Sequence, residues 1–143
     1  MKIFKRILLA LFVLIVLAVL YFVIFIYYKP HVDFLKKDAD IEIVGETLFM
    51  EFENNQLEAS KRYNAKVLLV EGVIDSIEKE GDLEIAVMVF GDGFFGEEGI
   101  RFTMLENQIH KLTVGEWAAI KGFCSGFTGS DVIIEHASVV DPS

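Results

Sequence analysis

An unbroken apolar segment near the beginning of the chain limits the folds that the chain can adopt. Ile7 to Tyr28 contains 22 apolar or aromatic residues and no charged residue. As a helix that rises about 1.5 Å per residue, this segment would be roughly 33 Å long, which is enough to cross the hydrocarbon core of a bilayer. The sequence therefore predicts a transmembrane helix at residues 7–28, within an N-terminal anchor that ends at residue 29.

Two other interpretations of the segment are a buried core helix and a cleaved signal peptide. A core helix of this length normally carries a polar stripe, which is missing here. The apolar region of a signal peptide is about 7–15 residues long and is followed by a small-residue cleavage site. This segment is longer and ends in the bulky residues Phe25 to Tyr28, so an uncleaved anchor is favoured.

Basic residues lie mainly before the apolar segment. Lys2, Lys5 and Arg6 precede it, whereas Lys29 alone follows directly, with Asp33 soon afterwards. Because the more positive flank of a spanning helix stays in the cytoplasm, the sequence predicts a cytoplasmic N-terminus. The C-terminal part of this single-pass protein is then expected in the periplasm or outside the cell.

The part of the chain that follows the apolar segment is strongly acidic. All 22 aspartates and glutamates lie after position 30, against nine lysines and arginines there, which gives a net charge of −13. Nucleic-acid binding needs clustered basic residues that neutralise phosphates, and an acidic field repels nucleic acid at long range. The charge therefore opposes nucleic acid as a partner.

Residues that would indicate catalysis or metal binding are scarce. Cys124 is the only cysteine, so an intrachain disulfide or a cysteine-based metal site is excluded. His31, His110 and His136 lie too far apart for a local metal-binding motif, and the chain has no phosphate-binding loop or dinucleotide-binding glycine motif. The sequence therefore predicts a protein without enzymatic activity, metal or small-molecule cofactor.

The acidic part begins with a charged stretch and continues into a helical pattern. Residues 30–42 lack apolar periodicity and predict a mobile tether that leads to a domain over residues 43–143. From Glu46 to Tyr63, apolar residues recur at helical spacing and predict one amphipathic helix. Asn54 and Asn55 are expected to weaken this helix without breaking it.

The remainder of the chain has the pattern of a small β protein. A short helix is predicted at Leu105–Leu112, and a glycine-rich connection at residues 91–99. Five strands with a helix between the third and the fourth are typical of the OB-fold, a Greek-key barrel, although a split α+β sandwich is also compatible. The predicted strands are Lys66–Ile77, Leu83–Phe90, Ile100–Met104, Trp117–Phe123 and Asp131–Val140.

Two separated blocks of residues resemble a known family. The first has the form F-x-x-N-x-x-x-A-x-x-x-Y followed by a valine-rich strand, and the second has the form K-G-x-C-x-G. Together they resemble the bacterial tRNA_anti-like family of OB-fold proteins. The resemblance implies an exported, membrane-attached OB-fold and, from the fold, nucleic-acid binding. The matching positions are Phe52, Asn55, Ala59, Tyr63, Lys66, Val70, Gly72, Ile74 and Ile77, then Lys121, Gly122, Cys124, Gly126, Asp131 and Val132.

The glycine-rich segment carries two adjacent aromatic residues, Phe94 and Phe95. They could grip a peptide, sugar or base by stacking, or they could fold back over the mouth of the barrel. The same segment contains Asp92, Glu97 and Glu98, whose oxygens could contact calcium, but the spacing of a calcium-binding loop is absent.

On the OB-fold analogy, the ligand-binding surface is the face of the second and third strands with the adjoining loops. The candidate ligand-binding residues on this basis are Phe94, Phe95, Arg101 and Trp117. The function that the sequence favours is a membrane-anchored binding module for an envelope protein, peptide or glycan. The alternatives are nucleic-acid binding, as the family resemblance implies, and a purely structural part of an envelope assembly.

Overall fold

The chain forms two compact units, an N-terminal helix and a domain that begins at Asp33. A computed structural model describes residues 1–27 and 33–141. Helix α1 spans Lys2–Tyr27, and its length of 26 residues and an 18-residue window of mean hydropathy 3.4 within it would allow it to cross a membrane. The predicted long apolar helix is therefore confirmed, while Tyr28, Lys29 and His31 lie outside the described residues.

The second unit is a mixed α/β domain built on a single OB-like sheet. Its elements are β1 Ile41–Val44, α2 Gly45–Asn54, α3 Gln56–Tyr63, β2 Val67–Val73, β3 Ser76–Glu80, β4 Leu83–Gly93, β5 Gly96–Met104, β6 Trp117–Phe127 and β7 Val132–Val139. Within residues 33–141 the seven strands form one sheet in the order β1-β2-β6-β7-β5-β4-β3, and its hydrogen bonds do not close it into a ring. The pairs β1–β2 and β5–β7 are parallel, and the other pairs are antiparallel.

The strand count differs from the predicted five partly because the first predicted strand is divided in two. The amide of Ile74 donates to the carbonyl of Glu116, at 3.0 Å, while the amide of Asp75 donates to the carbonyl of Val87, at 2.9 Å. Consecutive amides thus bond to opposite neighbours, and the chain bends sharply between β2 and β3. The other additional strand is β1, whose first two residues lie within the stretch predicted as a tether.

The predicted single amphipathic helix is also divided. Asn55 has φ −152° and ψ 81°, which is not helical, and its side chain accepts a hydrogen bond from the amide of Glu58 at 3.2 Å. Asparagine is among the best residues for capping a helix N-terminus in this way. The prediction that the asparagines leave the helix unbroken was therefore wrong, because Asn55 ends α2 and starts α3.

The apolar sides of α2 and α3 cover the interior of the sheet. Phe52 is fully buried, and its ring centroid lies 5.9 Å from that of Tyr63 and 5.5 Å from that of Phe127. The Tyr63 hydroxyl donates to a carboxylate oxygen of Glu51 at 2.7 Å. Burial, and then this hydrogen bond, raises the pKa of Tyr63. Tyr63, the last residue of α3, is thus part of the core.

Residues 33–42, predicted as part of a mobile tether, contact the domain. The ring of Phe34 stacks on His136 with centroids 4.7 Å apart, and it lies 5.8 Å from Phe123. Asp40 pairs with Val67 through backbone and side chain, at 2.7 and 2.8 Å. This stretch thus contacts the domain at both ends, because an aromatic residue that the sequence left without a partner stacks on His136 of β7. The mobility of the stretch and the boundary at residue 43 stay predictions.

The connections between the later strands also differ from expectation. The predicted helix Leu105–Leu112 is reduced to a single 3₁₀ turn at Ile109–Lys111. The predicted glycine-rich connection is not a loop, because β4 and β5 continue through it as a paired hairpin, with Asp92 opposite Glu97 and Gly93 opposite Gly96. Glycines pair within a ladder as other residues do, although the sequence pattern alone favours a turn.

Candidate binding surface

The β4–β5 hairpin presents two aromatic side chains at its tip. Phe94 and Phe95 form the two-residue turn between the paired Gly93 and Gly96, and they are 95% and 93% exposed. Their rings meet edge to face with centroids 5.1 Å apart. They do not fold back over the sheet, so their apolar surface is available to a partner.

Carboxylates surround the hairpin tip. Asp92 and Glu97 are exposed opposite each other, and Glu98 follows on β5. Among the described residues, no group of three or more histidine, cysteine, aspartate or glutamate side chains is placed to hold a metal ion. The aromatic pair therefore lies in a negative field, which favours partners with positive or neutral groups.

Arg101 is not available as a free cation. It lies in the middle of β5, opposite Val87, and its side chain is 26% exposed. Its guanidinium donates to Glu78 and lies 3.6 Å from a carboxylate oxygen of Glu80, both on β3. The charge that would contact a phosphate on this face is therefore neutralised within the domain.

Trp117 lies apart from the hairpin tip along the chain and the sheet. It starts β6, pairs with Val73 of β2, and is 61% exposed. A hollow of about 240 Å³ beside it is lined in part by three acidic residues, Glu46, Glu71 and Asp75. The four sequence-predicted site residues thus fall in three places: the paired phenylalanines at the tip, Arg101 within β5, and Trp117 at the start of β6.

The carboxylates beside Trp117 were missed by the sequence reasoning. Glu46 is the second residue of α2, Glu71 lies in β2 and Asp75 lies in the bend before β3, so only the tertiary fold brings them together. The one usable signal is Glu71, a charged residue that interrupts the apolar run of the first predicted strand.

The remaining candidates for chemistry are structural. Burial raises the pKa of the Cys124 thiol to about 11, although a backbone hydrogen bond at Gly126 opposes the shift. The thiol is therefore protonated at neutral pH, and Cys124 packs as a small apolar residue in the core. His110 lies in the 3₁₀ turn, and His136 stacks on Phe34.

The basic residues of the domain are dispersed among carboxylates. Six of the nine lysines and arginines beyond position 32 lie within 4.0 Å of an acidic side chain. Lys121 donates instead to the backbone carbonyl of Leu35. A surface that neutralises a run of phosphates needs lysines and arginines gathered on one face, whereas most of these lysines and arginines are paired with carboxylates. Besides Arg101, the paired basic residues and their partners are Lys36–Asp33, Lys37–Asp40, Lys61–Glu58, Arg62–Glu51 and Lys111–Asp141.

Comparison with known proteins places this fold in a family. A family model for tRNA_anti-like proteins matches residues 1–139. The chain belongs to the tRNA_anti-like family. A comparison with curated proteins found no significant match to this tRNA_anti-like protein. The family resemblance carried by the two sequence blocks is therefore confirmed.

A solved structure shares this fold at low sequence identity. A crystal structure from Klebsiella pneumoniae, described provisionally as a nucleic acid-binding lipoprotein, is 21% identical with a TM-score of 0.56. The match covers 73% of this tRNA_anti-like chain and 100% of that chain. The structure of yeast Stn1 and Ten1 is 10% identical with a TM-score of 0.36, covering 79% of this chain and 68% of that one. The similarity to the Klebsiella structure shows a shared fold, whereas the TM-score of the yeast structure is too low to indicate one.

Proposed function

We propose that this tRNA_anti-like protein is a non-enzymatic, membrane-anchored binding module whose domain faces outside the cytoplasm. Its partner is an envelope protein, peptide or glycan. The observation that carries the proposal is the pair Phe94 and Phe95, which are almost fully exposed at a rigidly paired hairpin tip. Adjacent aromatic side chains that bury nothing within the chain gain most from burial against a partner.

We further propose that the OB-like sheet corresponds to a five-stranded Greek-key barrel. In this interpretation β2 and β3 are two halves of its first strand, which bends at Ile74 and Asp75. The arrangement is supported by the pairing of β2 with β6 and of β3 with β4, which places the two halves at opposite ends of one run of strands. Strand β1 is then an addition to the barrel.

The charges of the domain favour a protein, peptide or glycan over nucleic acid. Arg101, on the face that OB-fold proteins commonly use, is paired with Glu78 and Glu80. The carboxylates at the hairpin tip add negative charge where a phosphate backbone would need cations. Nucleic-acid binding remains the alternative, because it is what the name of the Klebsiella relative describes.

The hairpin tip is testable by photo-crosslinking in native membranes. We expect the full chain with a benzophenone amino acid in place of Phe94 to give a discrete crosslinked product. Adding Phe95→Ala to this chain should reduce the yield of the product at least about threefold, because the second ring supplies part of the buried contact. The matched control carries the same amino acid at Leu83, which is 52% exposed at the opposite end of β4.

Equal crosslinking from positions 94 and 83, or no product from position 94, would contradict the proposed contact. The alternative is examined in parallel by the fluorescence anisotropy of labelled single-stranded DNA and RNA with the full chain across a salt series. The proposal predicts no saturable binding even at low salt. Saturable binding that weakens with added salt would instead place nucleic acid first.

The orientation of the chain gives a second test. We expect a reporter enzyme that folds only outside the cytoplasm to be active when it is fused after Ser143, because Lys2, Lys5 and Arg6 hold the N-terminus inside. The matched control carries the same reporter before residue 1, where it should be inactive. Activity of a cytoplasm-specific reporter at the C-terminus would reverse the assigned orientation.

A further inference from the structure

An apolar strip crosses the outer face of β1, β2 and β6. Val44, Val73 and Trp117 are 42%, 40% and 61% exposed on this face. Val73 is paired directly with Trp117, and Val44 with Glu71, so that their side chains lie side by side. The neighbouring residues Leu68 and Val70 point to the opposite face and are fully buried in the core.

Two hollows flank Trp117 on this face, and both are lined by Trp117 and Glu71. The first is the hollow of about 240 Å³ that contains Glu46, Glu71 and Asp75, which we name the acidic hollow. The second is a hollow of about 460 Å³ whose lining includes the aliphatic side chains of Leu69, Ala119 and Val139, which we name the aliphatic hollow. It is also lined by Lys111 and Asp141, which pair with each other at 4.0 Å. Trp117 therefore forms a ridge between two sites of different chemistry.

The acidic hollow has no internal neutralising charge. Among the described residues, no lysine or arginine lies within ion-pair distance of Glu46, Glu71 or Asp75. Asp75 accepts a hydrogen bond from the backbone amide of Val89 at 2.7 Å, which fixes its carboxylate in place. A cation in this hollow would lie in the combined field of three carboxylates and beside the Trp117 indole, both of which attract positive charge.

We propose that this face binds an extended peptide segment of a partner protein. A lysine or arginine of the segment occupies the acidic hollow, and an aliphatic residue of the same segment occupies the aliphatic hollow. In an extended chain, residues i and i+2 lie on one side roughly 7 Å apart, so that one strand can supply both side chains across the Trp117 ridge. The inference rests on the proposed binding function, but it concerns a surface distinct from the hairpin tip.

Charge complementarity decides between the possible occupants of this face. A second copy of this domain would bring its own net charge of −13 against the uncompensated carboxylates, and nucleic acid would bring phosphates. A peptide with basic and aliphatic side chains neutralises the acidic hollow and covers the exposed apolar strip at the same time.

The chain itself supplies a reporter for this face, because Trp117 is its only tryptophan. The probe is the palindromic peptide acetyl-Lys-Ala-Leu-Ala-Lys-amide, which can enter the face in either chain direction. It is added to the full chain in nanodiscs of zwitterionic lipid. We expect a saturable change in Trp117 emission whose apparent affinity falls as salt is added, and no saturable change with acetyl-Glu-Ala-Leu-Ala-Glu-amide.

A pair of variants tests the carboxylate contact. We expect Glu71→Gln to weaken the apparent affinity about threefold to fivefold, because it removes the one carboxylate that lines both hollows. The matched control is Glu116→Gln, which removes an exposed carboxylate next to Trp117 in sequence that lines neither hollow. Its affinity should stay within about twofold of the unmodified chain.

The inference is overturned by no saturable change with the lysine peptide up to about 1 mM, or by equal changes with the glutamate peptide. It is also overturned if Trp117 emission changes with protein concentration alone, because the occupant of the face would then be a second copy of this chain. A saturable change produced by a single-stranded oligonucleotide would overturn it as well. None of these results alters crosslinking from position 94, so the failure of this inference and the failure of the proposed function are distinguishable.

Discussion

Replacing Phe52 with alanine is expected to lower the free energy of unfolding of the domain by about 3–5 kcal/mol. Phe52 has no exposed surface, and its ring packs against Tyr63 of α3 and Phe127 of β6. Its removal would leave a cavity where the helices meet the sheet, since three separate elements line the space. A loss of this size is a large part of the stability of a small domain.

The measurement is pulse proteolysis of the full chain in detergent micelles across a urea series. The midpoint for Phe52→Ala should fall by more than about 1 M urea. The control is Leu57→Ala, in which a leucine of α3 that is 67% exposed is shortened. If the two variants had the same midpoint, the helices would not be part of the cooperative core.

Gly99→Ala should have an effect of comparable size for a different physical reason. A Cβ atom at Gly99 would lie 1.9 Å from the carbonyl oxygen of Met88, which is backbone and cannot move aside as a flexible side chain could. Strands β4 and β5 would have to separate at this point, at a cost of about 3 kcal/mol. The amide of Gly99 also donates to Asp131 at 3.0 Å, and this contact would be displaced.

Gly91→Ala provides the matched comparison on the neighbouring strand. A Cβ atom there would lie 3.5 Å from the nearest atom of Phe49, which is ordinary van der Waals contact. We expect Gly91→Ala to shift the urea midpoint by less than half as much as Gly99→Ala. Similar shifts would mean that close strand approach does not explain the glycine at position 99.

The amphipathic patterns predicted local elements well where one face is buried. The apolar positions of the predicted helix include Leu48, Phe52 and Ala59, all of which are buried in the structure. The break at Asn55 was not predicted, because an asparagine can either point to solvent within a helix or cap a new one. The choice depends on whether the following helix changes direction to pack on the sheet.

In the candidate site, too, the sequence identified individual residues but not their surroundings in the fold. The adjacent phenylalanines of the hairpin tip were found from the sequence, since two aromatic residues among glycines and carboxylates are conspicuous in any fold. Their exposure was not predictable, because it depends on β4 and β5 remaining paired to the last glycine. The stacking of Phe34 on His136 was equally hidden, because its two members lie at opposite ends of the domain sequence.

The long apolar helix, the acidic character of the domain and the order of its main elements could be predicted from the sequence, because they depend on composition and on periodicities among neighbouring residues. The family could be recognised from two separated motif blocks. Only the three-dimensional arrangement shows that Arg101 is neutralised, that the basic residues are dispersed, and that Glu46, Glu71 and Asp75 line one hollow beside Trp117. Such contacts join residues from separate elements, and strand register and bending, which no local pattern encodes, determine which residues meet.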